Sequence, residues 1–383
     1  MCDVHLKFCY TGHSILGSLI AFLPFTAEST RKEFMTSLES PRGMLHVIDR
    51  TTVYDDVLSL YRKELEKVTL EYPFWVHFKG EIAIDVGGVT RDMFSAFFAE
   101  AYLRLFDGAC LLYPAMHASV SMETFPLLGA IISHAYLVAG VFPDRIAFPC
   151  LAAALLGNNT VVPDTLLQEC FVSSVSAHEA SILRDAANFS GSKYSPSIQA
   201  ELACILGCHG CREAPQPTNL RQLLVQASRY TFFLKPAAAL NMMNAGIPKA
   251  HQPFWKDMTV EKLYSLYTTL SVSTAKVLSL LSEPVMESAS QEEVWHYLRR
   301  FVGNMTVDEL RIFLRFVTGS FVISVPSISV SFNTLDGLAR RPISHTCSAM
   351  LEISSTYTSL PEFASEFHAV LSDPYYSWRM DSL

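Results

Sequence analysis

No basic run in this chain of 383 residues exceeds two side chains, Arg340-Arg341 being one such pair. Charged residues make up only 17%, and the formal net charge is −8. Both facts exclude a sequence-unspecific nucleic-acid binder, because phosphate contacts require clustered Lys and Arg. Long apolar runs are also scarce. Leu127 to Phe142 is interrupted by Ser133 and His134 and falls short of the ~20 residues that cross a bilayer. It is expected to be buried helix, so no membrane partner is expected. Ile15 to Phe25 imitates a signal-peptide core. No basic cluster precedes it and no clear small-residue cleavage site follows, so a packed segment is expected. Gly-x-Ser-x-Gly is missing, and so are G-x-x-x-x-G-K-[ST] and G-x-G-x-x-G. The glycines at 80, 87 and 88 are therefore read as a tight turn between strand and helix rather than a phosphate loop.

The nine cysteines are odd in number and irregularly spaced. A disulfide framework is not expected in such a chain, and a reducing compartment, cytoplasm or nucleus, is. With 50% apolar residues the chain can build more than one core, and its length suggests two or three domains or lobes.

Apolar spacing predicts a helix over 55–70, started by Asp55 or Asp56. Trp75 to Phe78 reads as a short strand. Thr90 or Asp92 is the expected cap of a following helix that carries Met93, Phe94, Phe97 and Phe98 as core. Two buried helices are predicted over 127–157, separated by Pro143-Asp144. Residues 160–217 change texture and read as a smaller inserted subdomain. Helical pattern resumes from Leu220 to Leu281 with breaks at Pro236, Pro248 and Pro253. The polar stretch 283–290 is the expected hinge. Beyond it, helices over 292–302 and 307–316 precede strands over 321–325, 328–332 and 351–353, and a last helix over 360–371.

Few residues are candidates for chemistry. Cys347 lies two residues after His345, with Arg340-Arg341 upstream. A cysteine reacts as its thiolate and needs exposure plus a nearby cation or helix N-terminus. An extended 345–347 segment would turn both side chains to one side. Cys204, Cys208, His209 and Cys211 are the metal candidate, but a second ligand pair at zinc spacing is lacking, so loop and helix-face thiols are expected. His178-Glu179 starts H-E-x-x-H, yet position 182 is isoleucine. His134 is expected to be a satisfied core histidine. Neither metal nor cofactor is expected.

Three stretches, in this order, resemble the HECT-type ubiquitin ligases. KGEIAIDVGGVTRDMF (79–94) matches at Gly80, Glu81, Asp85, Gly87, Gly88, Arg91 and Phe94, with Asp92 where glutamate is usual. LRIFLRFVTGS (310–320) is similar to a helix and turn of the family's C-terminal lobe. RRPISHTCSAMLEISSTY (340–357) matches the active-site loop at Pro342, His345, Thr346, Cys347, Leu351 and Tyr357. The resemblance implies an α+β, bilobal fold. After an N-terminal extension (1–43) come a large, mostly helical N-lobe (44–282) with its inserted subdomain, the hinge, and a small α/β C-lobe (291–383). It implies a transferase that accepts ubiquitin from a ubiquitin-conjugating enzyme as a thioester on Cys347 and passes it to a substrate lysine. His345 would support developing charge, and Thr346 the loop geometry. Met380, with Trp378 nearby, stands where the family often uses an apolar tail residue. A HECT-like scaffold that binds conjugating enzyme or ubiquitin without catalysis is the alternative. A Cys–His hydrolase is a third reading, for which no third catalytic member is visible.

Overall fold

The computed structural model describes residues 24–37, 39–67, 72–81, 85–157 and 160–372. The tail residues Trp378 and Met380, and most of the 15–25 run, lie outside them. The fold is mixed α+β.

The chain opens with α1 (Pro24–Ser37), β1 (Glu39–Ile48), α2 (Val53–Lys67) and β2 (Tyr72–Phe78), with β1 and β2 paired in parallel. Asp55 and Asp56 lie inside the first turn of α2, which starts at Val53, not at either aspartate. Here acidic side chains complement the helix dipole. Next come α3 (Gly88–Leu105), a small hairpin of β3 (Phe106–Gly108) and β4 (Leu112–Pro114), α4 (Thr124–Ala139) and α5 (Phe148–Leu156). The two buried helices predicted around Pro143-Asp144 are α4 and α5. No helix among the described residues is long and apolar enough to cross a membrane.

Residues 160–217 hold α6 (Asp164–Ser174), α7 (Ala177–Ala187) and α8 (Pro196–Cys208). Glu179, of the partial metalloprotease echo, serves in a capping box with Ser176 at the start of α7. Helices α9 (Leu220–Arg229), α10 (Ala237–Gly246), α11 (Gln252–Lys256), α12 (Val260–Leu270) and α13 (Thr274–Leu280) follow. The last part contains α14 (Ala289–Gly303), α15 (Val307–Thr318), β5 (Ser329–Asn333), β6 (Ile343–His345), β7 (Met350–Ser354) and α16 (Leu360–Ser372).

Two hydrophobic cores organise these elements. The first gathers buried residues from Met35 to Tyr267, among them Phe94, Phe97 and Phe98 of α3. The second runs from Val272 to Leu371 and joins α13–α16 to the sheet β5-β7-β6. The change of core falls at 271–273, between α12 and α13. Residues 282–287 are irregular, but α13 packs against α14 and α15, and Leu281 bridges to Ile328. The second core therefore straddles that polar stretch.

The strand expected over 321–325 is not there. Phe321 N donates to Ser95 Oγ, Val322 N to Ser320 Oγ and Ile323 N to the Leu270 carbonyl. Pro326 has no N–H to offer a ladder. Backbone donors spent on a neighbouring helix and loop cannot also build a sheet.

Candidate active site

Strands β6 and β7 form an antiparallel hairpin whose register pairs His345 with Met350. Thr346, Cys347, Ser348 and Ala349 make the turn between them. Ser348 N donates to the His345 carbonyl at 3.1 Å, and the Ala349 carbonyl accepts from Ser329 N at 3.0 Å, which ties the turn to β5. Ala349 has φ +50°, the one positive φ of a non-glycine among the described residues. A left-handed alanine is mildly strained and persists where its surroundings hold it, often beside functional groups. Cys347 occupies the second position of the turn and is exposed.

The hairpin changes the expected relation of His345 and Cys347. Strand geometry ends at His345, so alternation does not carry through to Cys347. His345 Nε2 lies 3.4 Å from Oε2 of Glu352 on β7, and Glu352 Oε1 accepts from Asn333 Nδ2 of β5 at 2.8 Å. The imidazole thus joins a polar chain across the sheet.

Arg340, expected as a cation near the thiol, is turned elsewhere. Its guanidinium pairs with Glu362 and, at 2.7 Å, with Glu366 of α16, and it stacks 4.4 Å over the Tyr357 ring. The cation at the cysteine turn comes instead from α3. Arg91 Nη2 donates to the Thr346 carbonyl at 2.6 Å, and its Nε donates to the Thr318 carbonyl at 2.6 Å. Burial lowers Arg91 from its ordinary value. The nearness of Cys347 and Asp85 opposes that shift, and Arg31 adds to it. Sequence spacing could not single out Arg91 as this cation, because more than 250 residues separate it from Thr346.

The segment before α3 explains how Arg91 is aimed. Asp85, not Thr90 or Asp92, serves the helix start. Its Oδ1 accepts from Gly87 N at 2.8 Å and Thr90 N at 3.3 Å, while Oδ2 accepts from Val76 N at 2.7 Å. One carboxylate therefore fixes the turn to both β2 and α3. Thr90 Oγ donates to the same carboxylate. Gly88 lies directly against the cysteine turn. A Cβ placed there would stand 2.6 Å from Thr346 Oγ1 and 3.0 Å from Cys347 N. Asp92 takes part in a chain of charges. Its carboxylate accepts from Arg50 at 2.6 Å and from Arg315 of α15 at 2.5 Å, and Arg50 also holds Glu81 at 2.7 Å.

The described residues include seven cysteines. Burial pushes the thiols of Cys150 and Cys211 up, and that of Cys170 up to about 12, which makes them poor nucleophiles. Cys110, Cys204, Cys208 and Cys347 are exposed. The metal candidate does not assemble. Cys211 Sγ faces the Leu223 carbonyl, and His209 Nδ1 lies 2.8 Å from Thr231 Oγ1. No group of three or more His, Cys, Asp or Glu among the described residues could hold a metal ion. A cleft of about 370 Å³ opens where the two cores meet, lined by Asp144, Phe148, Cys170, Tyr267 and Arg311. Residues 340–357 are not part of its lining, and its thiol, Cys170, is the one pushed up by burial.

His134 departs from expectation. Its Nδ1 meets Tyr61 OH at 2.6 Å, but its buried Nε2 has no hydrogen-bond partner among the described residues. No protein-family model matches the chain, and no curated protein matches it. The thiol of Cys347 is exposed on a tight turn whose backbone the Arg91 guanidinium holds, so it is accessible from solvent.

Proposed function

We propose that the chain is a HECT-type ubiquitin transferase with Cys347 as the acceptor. One observation carries the reading. The stretches 79–94, 310–320 and 340–357, on which the resemblance rests, meet at the Cys347 turn: Gly88 and Arg91 from the first, Thr318 from the second, Thr346 from the third. That motifs so far apart in the chain converge on one exposed cysteine supports the reading.

The chemistry is covalent catalysis in two steps. The Cys347 thiolate attacks the carbonyl carbon of the thioester that links ubiquitin to the conjugating enzyme. The new C–S bond forms, the old one breaks, and the conjugating enzyme leaves as a thiolate. A substrate lysine amine then attacks the Cys347 thioester. An amide bond forms, the Cys347 thiolate departs, and the amine gives up its proton to solvent water. One thioester replaces another in the first step, so driving force is small and positioning decides the rate. His345, held toward Glu352, supports the hairpin rather than acting as the base.

In this reading the first core is the N-lobe, with 160–217 as the surface for the conjugating enzyme, and the second core is the C-lobe. The pivot between donor and acceptor is the single connection at 271–273. No metal or cofactor takes part.

A single-turnover assay with a panel of ubiquitin-charged conjugating enzymes tests the proposal. Wild type is expected to form a reductant-sensitive ubiquitin adduct. Cys347→Ser should trap a reductant-stable ester, and Cys347→Ala should form none. A folded protein that binds a conjugating enzyme yet never takes ubiquitin onto Cys347 would be a scaffold instead. Hydrolysis of ubiquitin esters with no conjugating enzyme present would identify a hydrolase.

A further inference from the structure

Helix α3 turns one polar face to the second core. Gly88, Arg91, Asp92 and Ser95 recur at i, i+3, i+4 and i+7, which is a single helical face. Gly88 abuts the Thr346–Cys347 backbone. Asp92 holds Arg315. Ser95 Oγ donates to the Gly319 carbonyl at 3.1 Å and accepts from Phe321 N at 3.4 Å. Arg91 differs from the others in what it ties together. One planar guanidinium bonds the last turn of α15 through Thr318 and the cysteine turn through Thr346. A guanidinium fork has its donors in fixed directions, so two carbonyls bound to it are fixed relative to each other.

We propose that Arg91 is a positioning residue for acyl transfer, seating the Cys347 turn on Gly88 so that the sulfur is presented to the incoming thioester. The inference rests on the reading of Cys347 as the ubiquitin acceptor. Two facts favour presentation over masking. Cys347 remains exposed while the seat is made. Moreover, Arg91 and Gly88 meet the turn at the Thr346 carbonyl and at the Thr346–Cys347 backbone, not at the sulfur. The contacts along this α3 face are polar rather than greasy, which suits a seat that must release and re-form as the lobes move.

The test compares the full chain with Arg91→Ala, Arg91→Lys and Gly88→Ala by two readouts. The first is deuterium exchange of backbone amides over 343–350, with 360–371 of α16 as a folding control. The second is single-turnover transfer from a ubiquitin-charged conjugating enzyme across a range of its concentrations. Arg91→Ala is expected to speed exchange at the turn and not in α16. Its maximal transfer rate should fall between about ten- and a hundredfold, with the half-saturating concentration little changed. Arg91→Lys keeps the charge but not the fork, and should rescue neither readout fully. Gly88→Ala reaches the same turn without touching the guanidinium and should give the same pattern. Wild-type exchange and rate in Arg91→Ala would overturn the inference. A faster transfer in that variant would also overturn it, since the seat would then be a latch. If Arg91→Ala fails to fold, Arg91→Lys and Gly88→Ala decide. If wild type takes no ubiquitin, the transferase reading fails, while the exchange arm still decides whether Arg91 seats the turn.

Discussion

Asp92 carries two guanidinium groups, and its pair with Arg315 has almost no access to solvent, the Asp92 side chain being 2% exposed and that of Arg315 4%. Desolvation lowers Arg315 to about 10, and Asp92 works against that shift. Removing the carboxylate leaves a buried charge without its partner, the costly way to break an ion pair. Asp92→Ala is therefore expected to destabilise the protein by about 3–5 kcal/mol, read from denaturant unfolding. An unchanged unfolding midpoint would show that Arg315 finds another partner. Nothing in the local sequence marked Asp92 for this task. Its position near a helix start suited a cap equally well, and the partner that overrides that reading lies on α15.

Two more residues illustrate the same limit. His134 and His251 are fully buried, and their rings stack 5.6 Å apart. Ser133 Oγ lies 3.1 Å from His251 Nδ1 and accepts from Trp255 Nε1 at 2.7 Å. Burial holds both imidazoles below their ordinary value, His251 at about 4, and His46 and His251 add to the shift at His134. The folded state therefore binds fewer protons than the unfolded chain between pH 6.5 and about 4. Stability is fully present above the unfolded value and falls as pH drops through this window. The slope is about 1.4 kcal/mol per pH unit for each histidine involved. Denaturant titrations at pH 7.5, 6 and 5 measure it. The double variant His134→Leu, His251→Leu should flatten the dependence, and an unchanged slope would assign it to other groups.

At the scale of elements, α4 and α10 pack backbone to backbone. A Cβ on Gly129 would stand 1.9 Å from the Met243 carbonyl oxygen, and one on Gly246 would stand 1.9 Å from that of Pro126. Each helix supplies the glycine that admits the other. Gly129→Ala must push the pair apart in a core that is close-packed, at a cost of about 1–3 kcal/mol or more. A thermal melt unchanged from wild type would mean that the helices slide without loss. The start of α15 is legible locally by contrast. Thr306 Oγ1 accepts from Glu309 N, and Glu309 accepts from Thr306 N at 2.7 Å, a capping box readable as T-x-x-E. Thr306→Ala should cost about 1 kcal/mol. Helix α3 lies between these cases. It is buried on nearly all sides, so it has no clean apolar stripe, and only its neighbours reveal which face does what.

For the whole molecule, the second core lies on both sides of residues 282–287. Glu283, Val285 and Glu287 are exposed there, on a stretch with no helix or strand. A glutamate-specific protease is expected to nick the native protein after Glu287, since Pro284 protects the bond after Glu283. The two fragments should remain together on size exclusion, because α13 packs against α14 and α15. Separation of the fragments without denaturant would put the boundary between cores at 283–290 rather than at 271–273.

Helices α4, α5, α14 and α16, strand β7 and the break around Pro143-Asp144 are legible in the sequence. Their signals are local: apolar spacing, prolines, and β-branched runs set by steric fit. The candidate nucleophile is legible too, because Cys347 stands in a quotable motif. What tertiary structure alone decided is the company that nucleophile keeps. Arg340, a few residues away, is drawn off by the carboxylates of α16, and Arg91 takes its place from the far end of the chain. Local sequence encodes which backbone shapes are affordable. Which charge ends beside which sulfur depends on how two separately packed cores meet, and no spacing along the chain measures that.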